Sequence, residues 1–579
     1  MIEILIVFAL AAALGWPLGH YLARVMRGDA SCLDRVFGPV ERGIYRLLGT
    51  EPARGMDWRG YAKAFLLSNL AVGVVVWVLL MTQGWLPLNP DGAANMRWDT
   101  ALHTMVSFVT NTNQQHYSGQ AQLSFLSHMA GIVGLQVVTP MMGLALVVAT
   151  LRGLFGGRRE MAARASGQPD SVSAAATPDQ ARDLGNFWVD VTRASVRFML
   201  PLALMWSLLL TSQGVPSTLQ AAPVATPIDA AAGMASQSIP LGPVAPMVAV
   251  KQLGTNGGGW YGPNSSVPLE NPTPLSNLLE TLALILIPVS LTFMVGAFTG
   301  RRKLTALVFG TMLLMSAAST GVAVWSEGHS ATAADIALME GKEVRFGADA
   351  SALWAALTTQ TSNGSVNSMH DSLAPLTGGV AITNMLINGI WGGVGCGLQQ
   401  FLVYLLLAVF LAGLMTGRSP ELFGRKIEAG EVRLLALLVL LQPSALLGLT
   451  AITLSFPALT GNSNPGFHGI SQVFYEYTSA FANNGSGFEG LGDATVWWNL
   501  TCVLLLALGR YAALIIPLAV AARMAGKRVA PEGPGTLHVE TPTFALTLVA
   551  VVVVLTVLQF MPVLVLGPIA EHLTLYPTS

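Results

Sequence analysis

The chain has 579 residues, 52% of them hydrophobic and only 11% charged, with a formal net charge of −1. Soluble domains carry about 25% charged residues, so a deficit spread along the whole length excludes an ordinary soluble domain and indicates a polytopic membrane protein. The near-zero charge argues against nucleic-acid binding, which takes a basic surface to offset phosphate.

A helix crosses a bilayer with about 20 apolar residues. Ten such segments are predicted, near 2–22, 63–83, 124–150, 194–213, 277–299, 304–325, 379–415, 433–456, 496–520 and 543–567. The first is apolar from Ile2 to Leu14, with Glu3 and no basic residue before it. A signal peptide opens on a positive region, so this segment is read as a membrane helix that stays in the protein. The seventh is too long for one straight crossing, and its glycine-rich stretch from Asn388 to Gly397 predicts a break. Residues 157–186 read as a solvated linker, and 214–244 as an extended outer loop rich in Pro, Ala and Ser. Cys32, Cys396 and Cys502 are far apart and form no C-x-x-C pair, so neither a zinc site nor a disulfide framework is indicated.

Orientation follows from Lys and Arg, which concentrate on the cytoplasmic side. Twenty-five of the 30 lie in 23–63, 152–197, 301–303, 418–433 and 523–528. Arg97, Lys251, Lys342 and Arg345 fall on the other side, and Arg510 lies inside the ninth helix. Both termini are then expected outside the cytoplasm.

Four outer segments share one pattern, a short amphipathic run followed by a polar Asn/Gly loop. The runs lie near 101–109, 245–253, 351–360 and 470–479. Each spans about 14 Å of helix, half of a bilayer, so a re-entrant helix and loop suits them better than a crossing. Non-helical backbone at that depth is tolerated only against protein or a water-filled path. The loops align as Asn111-Thr112-Asn113, Thr255-Asn256-Gly257, Ser362-Asn363-Gly364 and Asn483-Asn484-Gly485. The predicted architecture is all-α, with ten membrane helices and four fused helix–pore loop–helix repeats. The divisions are a first helix with its cytoplasmic loop (1–62), repeat one (63–150), a cytoplasmic linker (151–193) and repeat two (194–300). Repeat three (301–416), a cytoplasmic loop (417–432), repeat four (433–522) and a last helix (523–579) complete the chain.

An ion entering a narrow pore exchanges its hydration shell for protein oxygens, and rings of backbone carbonyls supply these without net charge. Turning consecutive carbonyls to one side takes unusual backbone angles, which Gly adopts freely and Asn tolerates. No carboxylate sits in any triplet, whereas a divalent cation would want several. Potassium is therefore the expected ion.

The chain also resembles a known family, the potassium-binding, channel-like A subunits of bacterial Kdp potassium-transporting P-type ATPases. The matching residues are Thr110-Asn-Thr-Asn113 with Gln115, Gly254-Thr-Asn-Gly-Gly-Gly259 and Asn264-Ser-Ser266. Gly364 with Val366-Asn-Ser-Met-His-Asp-Ser372, Gly392-Gly-Val-Gly395 and Met415-Thr-Gly-Arg-Ser-Pro420 match as well. Tyr475-Glu-Tyr-Thr-Ser479 and Ala482-Asn-Asn-Gly-Ser-Gly487 complete the set, which covers essentially the full length. Two positions depart from it: Gln114 stands where Trp is expected, and Asn388 where an acid is expected.

The resemblance implies a subunit of the superfamily of K+ transporters in the bacterial inner membrane. It would select K+ in a four-loop filter and pass it through a tunnel within the membrane to a catalytic B subunit, alongside C and small F subunits. The sequence itself has no Walker A pattern and no D-K-T-G phosphorylation motif, so no nucleotide is expected on this chain. A stand-alone K+ channel or cation symporter of the same superfamily is the alternative. A secondary transporter of organic solutes ranks last, because it would show inverted repeats rather than four loops facing one way.

Outside the triplets, Gln115, Gly392, Gly393, Gly395 and Arg510 are candidates for the pore, a gating break or the tunnel. Arg510 lies about 20 Å along a helix from Arg523, too far to snorkel comfortably, and an intramembrane Arg is functional by default. Gly389, Gly393 and Gly397 have small-xxx-small spacing, which helix packing would equally explain. Lys251 is read as capping helix carbonyls, Glu476 and Asp371 as scaffold, and His370 and His468 as structural. Trp497-Trp498 reads as an interfacial belt.

Overall fold

The computed structural model describes residues 2–31, 33–155, 183–229, 233–329, 339–531, 533 and 536–575. Ten helices among them are long and apolar enough to cross a membrane. They are Ile2–Arg27, Trp58–Trp85, Ser127–Leu154, Phe187–Ser212, Pro274–Thr299, Arg302–Gly328, Cys396–Met415, Ala429–Ser455, Val496–Ala525 and Pro542–Leu575.

Their boundaries have local causes. Asp57, Thr273, Thr495 and Thr541 each accept a hydrogen bond from the first turn that follows, satisfying N–H groups the helix itself leaves unpaired. The fourth span begins at Phe187, capped by Asn186, seven residues ahead of the expected start. The linker expected over 151–193 is correspondingly shorter, and its part at 156–182 lies outside the described residues. The outer loop expected over 214–244 contains a small hairpin, Val224–Ala225 paired with Gln237–Ser238.

The long seventh segment is broken, as its glycines predict. Pro375–Ile387 ends on Asn388 in the left-handed conformation, and Cys396–Met415 begins after an irregular stretch.

The third and fifth spans form the interior, with 83% and 89% of their most apolar windows buried; the first, eighth and tenth keep only 22%, 22% and 28%. Exposed apolar side chains such as Leu5, Leu440 and Leu558 belong to that outer belt. The first span packs along the fifth, and Gly15 and Gly19 let it come close to Val289, Ser290 and Phe293. The tenth packs on the sixth and seventh spans and on Pro375–Ile387. The first span thus lies against the second expected repeat, and the tenth against the third and, through Val565–Ile569, the fourth.

Four shorter helices precede the four loops: Trp98–Val109, Val244–Leu253, Gly347–Gln360 and Phe467–Phe481. The third and fourth have 14 and 15 residues, longer than the expected runs yet short of the ~20 a crossing takes.

Candidate cation site

The four triplets meet in one ring. Each has positive φ at its first and third residues: Asn111 (63°) and Asn113 (58°), Thr255 (48°) and Gly257 (64°), Ser362 (51°) and Gly364 (86°), Asn483 (54°) and Gly485 (101°). The middle residues do not. Alternation of hand turns successive peptides so that N–H groups share one side. Those N–H groups return to the ends of the short helices, where helical carbonyls lack partners. Ser107 O accepts from Thr112 N and Asn113 N, and Lys251 O from Asn256 N and Gly257 N. Thr358 O accepts from Asn363 N, and Ser479 O from Asn484 N. Among the described residues, the carbonyls of Thr112, Asn256, Asn363 and Asn484 accept no hydrogen bond, although all four residues are buried. Buried carbonyls are normally paired, and such a set is what a partly dehydrated monovalent cation takes.

Glycine closes the ring. A Cβ at Gly257 would collide with the Asn363 carbonyl, one at Gly364 with Asn484, and one at Gly485 with Thr112. The first loop carries Asn113 at this position. Its amide donates to Gly257 O at 2.9 Å, and room for its side chain comes from Gly258 (φ 73°), where a Cβ would stand 3.0 Å from the Asn113 Cβ.

Side-chain amides stitch the seams. Asn363 donates to Lys251 O at 3.0 Å and Asn484 to Thr358 O at 2.8 Å, the same bond one repeat apart. Asn483 donates to Thr112 Oγ1 at 2.9 Å, and the amides of Asn111 and Asn256 are in contact. Gln115 clamps loops one and two, donating to Gly259 O at 3.1 Å and accepting from Gly259 N at 2.7 Å.

The glycine-rich break lies directly against two triplets. Val394 N donates to Thr255 Oγ1 at 2.8 Å, and Trp391 N and Gly392 N share Gln360 O. A Cβ on Gly393 would stand 3.3 Å from Thr255 Oγ1 and 3.4 Å from Ser362 Cβ. Gly392 (φ 63°) packs against Gly397, and Gly395 (φ 85°) against the Gly143 backbone. Asn388 spans loops three and four: its Oδ1 accepts from Ser362 Oγ at 2.6 Å and its Nδ2 donates to Ala482 O at 3.1 Å. A carboxylate at this position has no donor for Ala482, so the departure to Asn adds a bond.

Arg510 is 1% exposed and sits in a π-helical turn, Leu508–Ala512. Its Nη2 donates to Thr139 O at 3.2 Å and lies beside Gly143, while Nε and Nη1 have no hydrogen-bond partner among the described residues. The charge is thus deep in the helix bundle, next to the break. A cavity beside Asn388 is lined by Gln400, Tyr404, Gln442, Thr556 and Gln559, with Gly509 and Ala513 of the ninth span.

The family described as potassium-transporting ATPase A subunit matches residues 5–573. The chain belongs to this family. It is 44% identical to the potassium-transporting ATPase potassium-binding subunit of Gloeobacter violaceus, covering 99% of this chain and 97% of that one. The subunit of the same description from Pseudomonas aeruginosa is 44% identical over 99% of both chains. Among solved structures, the potassium transporter TrkH from Vibrio parahaemolyticus superposes with a TM-score of 0.48 at 14% identity, over 87% of this chain and 97% of that one.

Behind the four loops, Lys251 departs from its expected role, whereas Glu476, Asp371, His370 and His468 are packed in hydrogen-bonded contacts as expected. Lys251 is fully buried, and its ammonium pairs with Glu270 and contacts Ser265 rather than capping carbonyls. Gln114 donates to Glu476, which also meets His116 Nε2 at 3.1 Å. His116 Nδ1 lies 2.7 Å from Asn499 Oδ1, and its ring stacks on His103 at 3.8 Å. Glu476 is therefore a packed scaffold group and not an open cation lure. Asp371 is held by His468 Nε2 and Gln472, each at 2.8 Å. His370 pairs with the Tyr475 hydroxyl at 2.9 Å.

Proposed function

We propose that this chain is the potassium-selecting subunit of an ATP-driven uptake pump in the bacterial inner membrane. It takes K+ from the outer side into the four-loop ring and hands it sideways, within the membrane, to a catalytic P-type subunit. C and F subunits complete the complex, both termini lie outside the cytoplasm, and ATP is hydrolysed by the partner. The observation that carries the reading is the ring of unpaired carbonyls at Thr112, Asn256, Asn363 and Asn484, in a family whose relatives are described as potassium-binding.

Neutral oxygens suit a weakly hydrated monovalent ion, because they bind it without holding it too long. Arg510 and the break at Gly392, Gly393 and Gly395 lie close to the ring, and a fixed positive charge there opposes straight passage of a cation. The cavity beside Asn388, lined also by Gln400, Gln442 and Gln559, offers polar groups away from the guanidinium. A free-running channel would have no use for such a barrier.

The test is K+-stimulated ATP hydrolysis by the co-purified complex carrying Gly257→Asp. The added carboxylate is expected to raise the K+ needed for half-maximal stimulation and to weaken discrimination against other cations. An assembled Gly257→Asp complex with wild-type K+ dependence would overturn the reading, as would free K+ conduction by this chain alone in liposomes.

A further inference from the structure

The four repeats share one position whose backbone carbonyl receives the loop N–H groups: Ser107, Lys251, Thr358 and Ser479. In three of them the side chain also braces its own loop. Ser107 Oγ donates to Gln114 O at 2.9 Å. Thr358 Oγ1 donates to Ser365 O at 2.8 Å and accepts from Gly364 N at 3.0 Å. Ser479 Oγ accepts from Gly485 N at 2.9 Å. Repeat two has no hydroxyl here.

Lys251 instead reaches past its own loop to the segment that follows it. Its Nζ pairs with Glu270, lies 2.9 Å from Ser265 Oγ and 3.4 Å from Asn264 Oδ1, and both charged side chains are 0% exposed. Glu270 Oε1 also accepts from Tyr261 N at 3.1 Å. Ser265 Oγ donates to Glu280 Oε2 at 2.7 Å, and Gln252 Nε2 donates to the same oxygen at 2.9 Å. Gln252 then crosses to loop three, accepting from Ser365 Oγ at 2.9 Å, while Asn363 of loop three rests on the Lys251 carbonyl. The cluster therefore joins the end of the second short helix, the chain leaving loop two and the wall of loop three.

We propose that the Lys251–Glu270 pair is the strut that sets the size of the ring at the seam between loops two and three, and so its preference for K+ over other monovalent cations. The pair touches no ion; Lys251 and Glu270 are positioning residues, and the inference rests on the ring being the K+ site. A hydroxyl brace fixes a loop to its own helix. The ion pair fixes it to a segment up to 19 residues away, and it is water-excluded, so its geometry is held tightly. Removing one member alone leaves an unpaired buried charge, which makes single variants hard to read.

Two variants avoid that. Lys251→Met with Glu270→Gln removes both charges and keeps the volumes. Ser265→Ala removes only the hydroxyl that links Lys251 to Glu280. Both are measured in the full complex, as ATP hydrolysis stimulated by K+ and by Rb+, with the thermal shift produced by each ion as a second readout. For the double variant, half-maximal K+ is expected to rise by about tenfold, the scale at which groups behind the ligands tune ion affinity. The ratio of Rb+ to K+ effectiveness should rise with it, and maximal hydrolysis should hold. Ser265→Ala should move the same quantities in the same direction by less. Unchanged K+ dependence and Rb+ ratio in Ser265→Ala overturn the strut, and so does loss of maximal hydrolysis without a change in either. If the double variant does not assemble, Ser265→Ala decides alone. Gly257→Asp separates the two readings: if it shifts K+ dependence and the strut variants do not, only the strut falls. If none of them shifts it, the ring itself is not the K+ site.

Discussion

Asn484 of the fourth loop donates its side-chain amide to the Thr358 carbonyl of the third repeat at 2.8 Å. The bond crosses a repeat boundary, and among the described residues the Asn484 carbonyl accepts no hydrogen bond. An aspartate at 484 keeps the shape but has no donor, and it sets a carboxylate against a carbonyl. One such bond is worth about 1–2 kcal/mol, which corresponds to roughly fivefold to thirtyfold in an equilibrium constant. Asn484→Asp is expected to raise half-maximal K+ by a factor in that range. Potassium titration of ATP hydrolysis by the complex checks it, and a wild-type curve would show that the seam does not position the carbonyl.

Arg510 offers a second test, because a charge with unpaired donors is a burden on stability. Arg510→Met should leave the unfolding midpoint unchanged or higher. If the guanidinium is the barrier to straight passage, the same variant should leak K+ in proteoliposomes without ATP. A stable variant that remains tight to K+ would remove the barrier role from Arg510.

The outer end of the fourth short helix carries a pH-dependent contact. Burial disfavours the His468 imidazolium, but hydrogen bonds and charge from Asp371 and Glu571 outweigh it and lift the pKa from 6.5 to about 9. A raised histidine contributes stability that is fully present below about 6.5 and is lost as pH rises through about 9. The wild-type unfolding midpoint should therefore fall between pH 6.5 and 9, and His468→Gln should fall less steeply. Equal slopes would show that the His468 contact does not contribute.

Asn113 and Gly258 form a matched pair across loops one and two. Gly258→Ala puts a Cβ within 3.0 Å of the Asn113 Cβ at φ 73°. Asn113→Gly should relieve the contact but not the backbone strain, so the double variant should recover part of the loss. A coupling of about 1 kcal/mol is expected for side chains in contact. Thermal unfolding of the single and double variants measures it, and additive losses would show the two positions to be independent.

Much of this was legible from residue type alone. Hydropathy located ten crossings, and the glycines of 388–397 located the break. The triplets can be aligned on Gly257, Gly364 and Gly485, where the backbone admits no Cβ. The reason for the asparagines was only half visible. Asn111, Asn113 and Asn483 do take positive φ, yet so do Thr255 and Ser362, which are poor residues for it. The middle asparagines serve the seams instead. Those bonds join residues more than a hundred positions apart, and no local pattern announces them. Lys251 misled for the same reason: a Lys in a last helical turn looks like a cap until Glu270 is folded against it. A second carboxylate nearby, Glu280, stands in an apolar span, and Ser265 and Gln252, folded against it, account for its place.

The exchange between Asn113 and Gly258 also bears on how such a ring can arise. One wall carries a side chain exactly where its neighbour carries none. Four identical chains around an axis have no such freedom, because every wall must bear the same residue at the same height. Joining the walls in a single polypeptide lifts that restriction and lets one boundary differ from the other three.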